Sequence, residues 1–308
     1  MIEIKNCSKA FGKIQAVNKV TMDIGEREVF GLIGSNGAGK STLLRIMAGI
    51  IRQDRGEVLM DEEPVFENER IKEHFFYIPD DAYIPANYNA LDMAEFYRCI
   101  YPGFQQARFE TMMKQFHLDE RGKINRFSKG MKKQLLVILG IAAGTKYMLC
   151  DETFDGLDPV MRNYVKSLIC EEVLDRGASA IITSHSLREL EDVCDQLALL
   201  HKGGLGLESD IEHLKTSQFK IQIAFHEEYD RSKFEGIRIS HFEKSGSVCN
   251  MIVSGDREKI VQKLQEMQPI LLDVLPLTLE EVFTYEMETL GYTFHIDELQ
   301  EEKNHAGA

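Results

Sequence analysis

The chain has 308 residues, of which 44% are hydrophobic, and it carries a formal net charge of −14. This length allows one large domain and a small one, and the apolar content is sufficient for a packed core. The acidic balance disfavours nonspecific attraction to nucleic acid or anionic lipid, so no nucleic-acid partner is predicted.

Three features of the sequence indicate a cytoplasmic protein. The longest apolar run, LLVILGIAA at 135–143, is about half of the roughly 20 residues that a membrane-spanning helix needs, and it is predicted to be core. The first residues, MIEIKNCSKA, lack the apolar region of a secretory signal. The six cysteines are scattered without a CxxC pair, which suits a reducing compartment.

Apolar runs that predict strands alternate with helical patterns along much of the chain. VFGLIG precedes STLLRIMAGI, YMLCDE precedes PVMRNYVKSLICEEVL, and SAIITSH precedes SLRELEDVCDQL. This alternation predicts an α/β domain with a largely parallel sheet covered by helices, over residues 1–210. From about 81 to 135, helical patterns such as NALDMAEFYRCIY replace the strand signals, which predicts a helical insert.

The pattern changes after the glycine-rich stretch KGGLGLES at 202–209. FKIQIAF alternates apolar and polar residues, a hairpin pattern follows, and DREKIVQKLQEM has helical periodicity. Residues 215–290 are therefore predicted to form a small α+β domain, with a regulatory or dimer-supporting role or a purely stabilising one. Residues 291–308 are predicted to be a polar tail.

The stretch GSNGAGKST at 34–42 fits the pattern G-x-x-x-x-G-K-[ST]. An apolar strand precedes it and an amphipathic helix follows, which is the context of a phosphate-binding loop. In such a loop, backbone N–H groups turn toward the phosphate, the lysine adds a cation and the serine hydroxyl binds Mg²⁺. The alternative is a glycine turn before a helix. The residues predicted to bind the phosphates and their Mg²⁺ are Ser35, Asn36, Gly37, Ala38, Gly39, Lys40, Ser41 and Thr42.

Two acids, Asp151 and Glu152, follow the apolar strand YMLC. Catalytic groups in open α/β sheets lie at the ends of such strands. Asp151 is predicted to hold Mg²⁺ through its waters, and Glu152 to polarise an attacking water. The alternative is that the two acids simply end a strand.

Together with these motifs, three later stretches make the chain similar to the ATP-binding cassette subunits of ABC transporters, over about residues 1–210. FSKGM resembles the signature loop of that family, with Ser128 and Gly130 retained and Lys129 in place of a second glycine. GLDP resembles the D-loop with Asp158, and TSH resembles the switch loop with His185. The resemblance implies a P-loop NTPase fold with a helical subdomain.

The resemblance also implies roles for these residues. Phe11 would stack on the adenine, although an edge aromatic is the alternative, and His185 would hold the γ-phosphate and the attacking water. Ser128 and Gly130 would reach the γ-phosphate bound to a second cassette, in a shared site to which Asp158 also belongs. ATP would then close a pair of cassettes, either a homodimer or a heterodimer, and hydrolysis would release it.

A cassette of this type passes its closing motion to separate membrane subunits. Its contact with those subunits places it on the inner face of the membrane. SKGM and the late stretch LTLEEVF at 277–283 resemble the branch that serves drug, antibiotic and bacteriocin-immunity exporters. A soluble ATPase of translation or DNA repair is the alternative, although this chain has one cassette and a short insert. A purely regulatory nucleotide binder is the third hypothesis.

The sequence departs from the family at Asp80, where a glutamine is usual, and at Thr153, where proline is commoner. A carboxylate at 80 is expected to bind Mg²⁺ and to lie near the γ-phosphate, where its charge opposes that of ATP. We therefore expect ATP binding to depend strongly on Mg²⁺, and Asp80→Asn to reduce this dependence. The alternative is that Asp80 points into solvent beside Asp81.

Overall fold

The structure, a computed structural model, describes residues 1–85, 87–275, 277–282 and 284, without the side chains of 215–217. The chain divides into two compact units, Met1–Ser209 and a second that begins at Asp210. The predicted tail at 291–308 and the end of the predicted small domain lie outside the described residues. No helix in the described part is long and apolar enough to span a membrane.

The first unit begins with an antiparallel sheet whose strands run in the order β2-β1-β4-β5. β1 and β2 carry apolar side chains on one face, and these pack with the helix α1 in a buried core. The strands are β1 (Ile2–Phe11), β2 (Ile14–Ile24), β4 (Arg55–Met60) and β5 (Glu63–Pro64).

A second sheet, in the order β10-β9-β3-β8-β7-β6, lies at the centre of this unit. β3 pairs in parallel with β8 and β9, and β7 pairs in parallel with β6 and β8. β3, β7 and β8 are buried along their whole length, as expected for strands covered on both faces. The carboxyl ends of the parallel strands therefore share one edge, from which the predicted site residues follow. The strands are β3 (Val29–Ile33), β6 (Phe75–Ile78), β7 (Tyr147–Cys150), β8 (Ser179–Ser184), β9 (Gln196–His201) and β10 (Gly204–Asp210).

Helices α3, α4 and α5 occupy the region of the predicted helical insert. α5 begins within the predicted insert and continues to Ala143, and its run LLVILGIAA is buried throughout. Ser128 caps the start of α5, and Gly144 ends it in the left-handed conformation. The helices of this unit are α1 (Lys40–Met47), α2 (Glu69–Lys72), α3 (Ala90–Ile100), α4 (Gln106–Gln115), α5 (Lys129–Ala143), α6 (Pro159–Arg176) and α7 (Leu187–Leu190), with a 3₁₀ turn at Ile124–Arg126.

The second unit has an antiparallel sheet in the order β12-β13-β11-β14. Its hairpin is β12–β13, and the apolar residues of alternate positions form a separate core that includes α9. The elements are α8 (Ile211–Ser217), β11 (Gln218–Ala224), a 3₁₀ turn at Arg231–Phe234, β12 (Arg238–Ser245), β13 (Val248–Ser254), α9 (Arg257–Glu266) and β14 (Leu271–Leu275).

Candidate active site

The loop between β3 and α1 passes so close to neighbouring backbone that it needs glycine at two positions. Gly39 has φ +107°, and a Cβ atom there would lie 2.1 Å from the carbonyl oxygen of Ala16. A Cβ on Gly34 would lie 2.4 Å from the carbonyl oxygen of Leu200. The loop leads into α1, whose first N–H groups have no intrahelical partner and favour an anion.

A cavity of about 440 Å³ opens in front of this loop. The cavity brings residues of the loop between β3 and α1 together with acids that follow β6 and β7 and with the histidine that follows β8. Ser35 contributes a backbone oxygen to the loop and accepts the N–H of Ala38 at 3.1 Å. The residues that line the cavity are Ile14, Ala16, Asn36, Gly37, Ala38, Gly39, Lys40, Ser41, Thr42, Asp80, Glu152, Asp155 and His185.

The carboxylate of Glu152 lies between a lysine and a histidine. Its Oε1 is 3.1 Å from Nζ of Lys40, and its Oε2 is 2.9 Å from Nδ1 of His185. Lys40 is only 5% exposed, and it also donates to the carbonyl oxygen of Gly34 at 2.7 Å. With the Lys40 ammonium on one side and the His185 ring on the other, this carboxylate can accept a proton from a water.

Asp151 is fully buried beside the phosphate loop. Its Oδ1 accepts hydrogen bonds from the hydroxyls of Ser41 at 2.8 Å and Thr183 at 2.9 Å, and its Oδ2 accepts one from Tyr77 at 3.3 Å. Burial raises the pKa of Tyr77 to about 12, so this phenol stays a donor at neutral pH. A hydroxyl and a carboxylate in contact offer oxygen ligands of the type that Mg²⁺ prefers, so the residues fit that ion.

Asp80 lines the cavity, and its carboxylate contacts lysines that the sequence argument missed. Its Oδ1 is 3.0 Å from Nζ of Lys133 and 3.5 Å from Nζ of Lys129, both on α5. The side chain is 41% exposed. The two lysines give the carboxylate cationic partners, and the strong Mg²⁺ dependence of ATP binding stays a prediction.

Phe11 lies at the end of β1, and its side chain is 48% exposed. Phe11 pairs with Ile14 between β1 and β2. Ile14 lines the cavity, and Phe11 is not among the described residues that line it. Nζ of Lys9 lies 5.6 Å from the centroid of the Phe11 ring, and the same amine pairs with Asp54 at 2.8 Å. An exposed ring beside the cavity is available for stacking.

Ser128, Gly130 and Asp158 are also outside the set of described residues that line the cavity. Ser128 caps α5 by accepting the N–H of Met131 at 3.1 Å, and Asp158 caps α6. A Cβ on Gly130 would lie 2.8 Å from the carbonyl oxygen of Gly156, so the signature loop packs closely on the D-loop.

Side chains that the sequence argument did not identify hold the switch loop. Ser184 donates to a carboxylate oxygen of Glu189 at 2.6 Å and accepts the N–H of Ser186 at 3.0 Å. Arg162 of α6 lies 3.4 Å from the other oxygen of Glu189. These contacts fix the backbone on both sides of His185. Their signal in the sequence was weak, because serine, glutamate and arginine are mostly exposed residues.

Comparison with known proteins agrees with this geometry. The family model described as ABC transporter matches residues 17–155. The ABC transporter ATP-binding protein YtrB of Bacillus subtilis is 33% identical over 283 residues, which cover 92% of this chain and 97% of that protein. The linearmycin resistance ATP-binding protein LnrL of Bacillus subtilis is 27% identical over 68% of this chain and 70% of that protein.

A solved structure of the same fold is an ATP-binding cassette described as a dimer in a post-hydrolysis state, bound to ADP and Pi. It is 20% identical and has a TM-score of 0.61. The match covers 68% of this chain and 99% of that one. The shared region is the P-loop NTPase fold predicted from the sequence, and the fold prediction is confirmed.

Proposed function

This chain belongs to the family of ATP-binding subunits of ABC transporters, and from this premise we propose that it powers export through separate membrane subunits. It is an ABC-type ATPase, as the motifs predicted, and the soluble alternative is not favoured. What supports export is the similarity to LnrL, which is named for resistance to linearmycin. The cytoplasmic location on the inner face of the membrane follows from that proposed partnership.

The arrangement around Glu152 is the observation that carries the proposed mechanism. In this structure Lys40 is paired with Glu152 at 3.1 Å. The phosphates of ATP compete for Lys40, because they carry more negative charge than one carboxylate, and Glu152 is then free to accept a proton. Water oxygen forms a bond to the γ-phosphorus as the bond to the ADP oxygen breaks, and the proton of that water passes to Glu152.

Other residues of the chain bind and orient. Backbone N–H groups of the phosphate loop hold the β-phosphate, and His185 stays next to Glu152 and orients the water and the γ-phosphate. Mg²⁺, when bound, neutralises phosphate charge, and Ser41 with Asp151 would hold it. Phe11 offers its exposed ring to the adenine.

A second cassette would complete the site. Ser128 and Gly130 are not among the described residues that line the cavity of their own chain, yet their loop is ordered by the cap of α5 and by close packing on Gly156. A head-to-tail partner would bring this loop to the γ-phosphate, with Asp158 at the same interface. ADP lacks that phosphate, so the pair would open after hydrolysis.

The test of the reaction is Glu152→Gln, which keeps the size of the side chain and removes the proton acceptor. Steady-state hydrolysis should fall by about 10²- to 10⁴-fold, while ATP binding is preserved. Phosphate release and equilibrium binding of ATP measure the two effects, and Glu69→Gln, an exposed acid on α2, is the control. Hydrolysis at the wild-type rate in Glu152→Gln would remove Glu152 from the mechanism.

The transport proposal has its own test in cells that produce the tagged full-length chain. The chain should sediment with the membrane fraction and purify with a protein that has several apolar segments of about 20 residues. A chain found only in the soluble fraction with soluble partners would contradict the proposal.

A further inference from the structure

Lys133 is a buried lysine next to the reacting groups. It lies on α5, is 2% exposed, and its Nζ contacts Oδ1 of Asp80 at 3.0 Å. It also donates a hydrogen bond to the backbone carbonyl oxygen of Glu152. Burial of an unpaired ammonium is strongly unfavourable, so this side chain depends on its partners.

The backbone of Glu152 has an unusual conformation. Its φ is +45°, in the left-handed region that residues other than glycine seldom adopt. Its N–H donates to Oγ1 of Thr183 at 2.9 Å, and its carbonyl oxygen accepts from Lys133. Side chains from β8 and α5 thus hold the peptide groups on both sides of the residue. A backbone held in this way fixes the direction in which the carboxylate points.

Lys129 lies one helical turn before Lys133 and contacts the same carboxylate, but less closely. Its Nζ is 2.9 Å from Asp155 and 3.5 Å from Asp80, and its side chain is 59% exposed. Exposed ion pairs of this kind contribute little, whereas the buried ammonium of Lys133 is sensitive to the loss of its carboxylate partner Asp80.

We propose that Lys133 is a positioning residue for hydrolysis, which fixes the main chain of Glu152, and that Asp80 is its counter-charge. The inference rests on the proposed role of Glu152 as proton acceptor. It also explains why a carboxylate at position 80 is compatible with a bound triphosphate, since the charge of Asp80 is directed to α5. Replacement of Asp80 alone leaves a buried cation without its carboxylate.

The experiment compares the single variants Lys133→Met, Lys133→Gln and Asp80→Asn with the double variant that combines Asp80→Gln and Lys133→Gln. For each single variant, kcat should fall about 10- to 100-fold while the KM for ATP changes less than about three-fold, because phosphate binding by the loop is untouched. The double variant should recover at least about ten-fold over Lys133→Gln, because two neutral amides replace the ion pair. Lys132→Met, on the same helix, is the matched control and should hydrolyse ATP normally.

Asp80→Asn keeps the inference testable if Lys133→Met does not fold, because Asp80 is on a loop and is partly exposed. Unchanged kcat in Asp80→Asn, with a change only in the Mg²⁺ dependence of ATP binding, would return Asp80 to the metal and overturn the inference. A rise in KM equal to the fall in kcat would also overturn it. If Glu152→Gln abolishes hydrolysis and Lys133→Met does not, only the positioning role of Lys133 fails. If Glu152→Gln is active, the proposed role of Glu152 as proton acceptor fails, and the positioning role of Lys133 fails with it.

Discussion

The two units of the chain are stabilised in different ways. The first unit buries charged groups beside the phosphate loop, and Lys40, Asp151 and Lys133 each have a charged or hydrogen-bonded partner. The second unit has an apolar interior. Its core residues are Phe219, Ile221, Ile223, Phe225, Tyr229, Phe234, Cys249, Met251, Val253 and Leu264.

Two lysines of the second unit lie against aromatic rings. Nζ of Lys233 is 3.9 Å from the centroid of Phe225, and Nζ of Lys244 is 4.4 Å from that of Tyr229. A buried ion pair is costly to form and contributes little net stability, whereas an apolar core supplies stability directly. The comparison indicates that the first unit gives up stability to hold reactive groups, whereas the described core cluster of the second unit is apolar.

The largest expected effect comes from Phe234→Ala in the core of the second unit. The side chain is 1% exposed, so its loss leaves a cavity and should lower the free energy of unfolding of that unit by about 3–5 kcal/mol. Urea titration of the full chain measures the loss, and hydrolysis at low temperature should stay within about two-fold of wild type.

Ile270→Ala, at an exposed position, is the control and should change stability by less than about 0.5 kcal/mol. A large fall in kcat while both units remain folded would show that the core of the second unit affects hydrolysis in the first.

A smaller effect is expected from Phe11→Ala. Loss of stacking on the base should weaken ATP binding by about 1–3 kcal/mol, which is roughly five-fold or more in Kd, with kcat at saturating ATP nearly unchanged. Phe11→Tyr retains the ring and should bind normally. The same Kd in Phe11→Ala and wild type would leave Phe11 as an ordinary edge aromatic.

The smallest effect is expected from truncation after Ser209, at the boundary between the units. The truncated chain keeps the whole phosphate loop and all of the residues that line the cavity. Its Kd for ATP should therefore stay within about three-fold of that of the full chain, as calorimetry would show. A truncated chain that is folded and soluble but binds no ATP would give the second unit a direct role in the site.

The sequence was sufficient for those parts of the site that depend on local pattern. The phosphate loop is one continuous stretch, and Asp151 and Glu152 follow a recognisable buried strand. The strand and helix patterns predicted an α/β domain, and the family resemblance implied the P-loop NTPase fold, which the comparisons confirm. The family resemblance supplied His185, which the structure places 2.9 Å from Glu152.

The contacts of Asp80 could not be predicted in this way. Lys133 is 53 positions away in the sequence, and it reaches Asp80 only because α5 packs beside β6. A lysine in the basic run KGMKK is ordinarily expected to face solvent, so no periodic signal marked it as buried.

The measurement that tests the account most directly is size-exclusion chromatography of Glu152→Gln with ATP and with ADP. The variant should bind ATP without hydrolysing it, so the shared site predicts a dimer with ATP and a monomer with ADP. Ser128→Arg, introduced into the Glu152→Gln variant, places a bulky cation at the signature loop and should prevent the dimer. A chain that remains monomeric with ATP at high protein concentration would contradict a site completed by a second cassette.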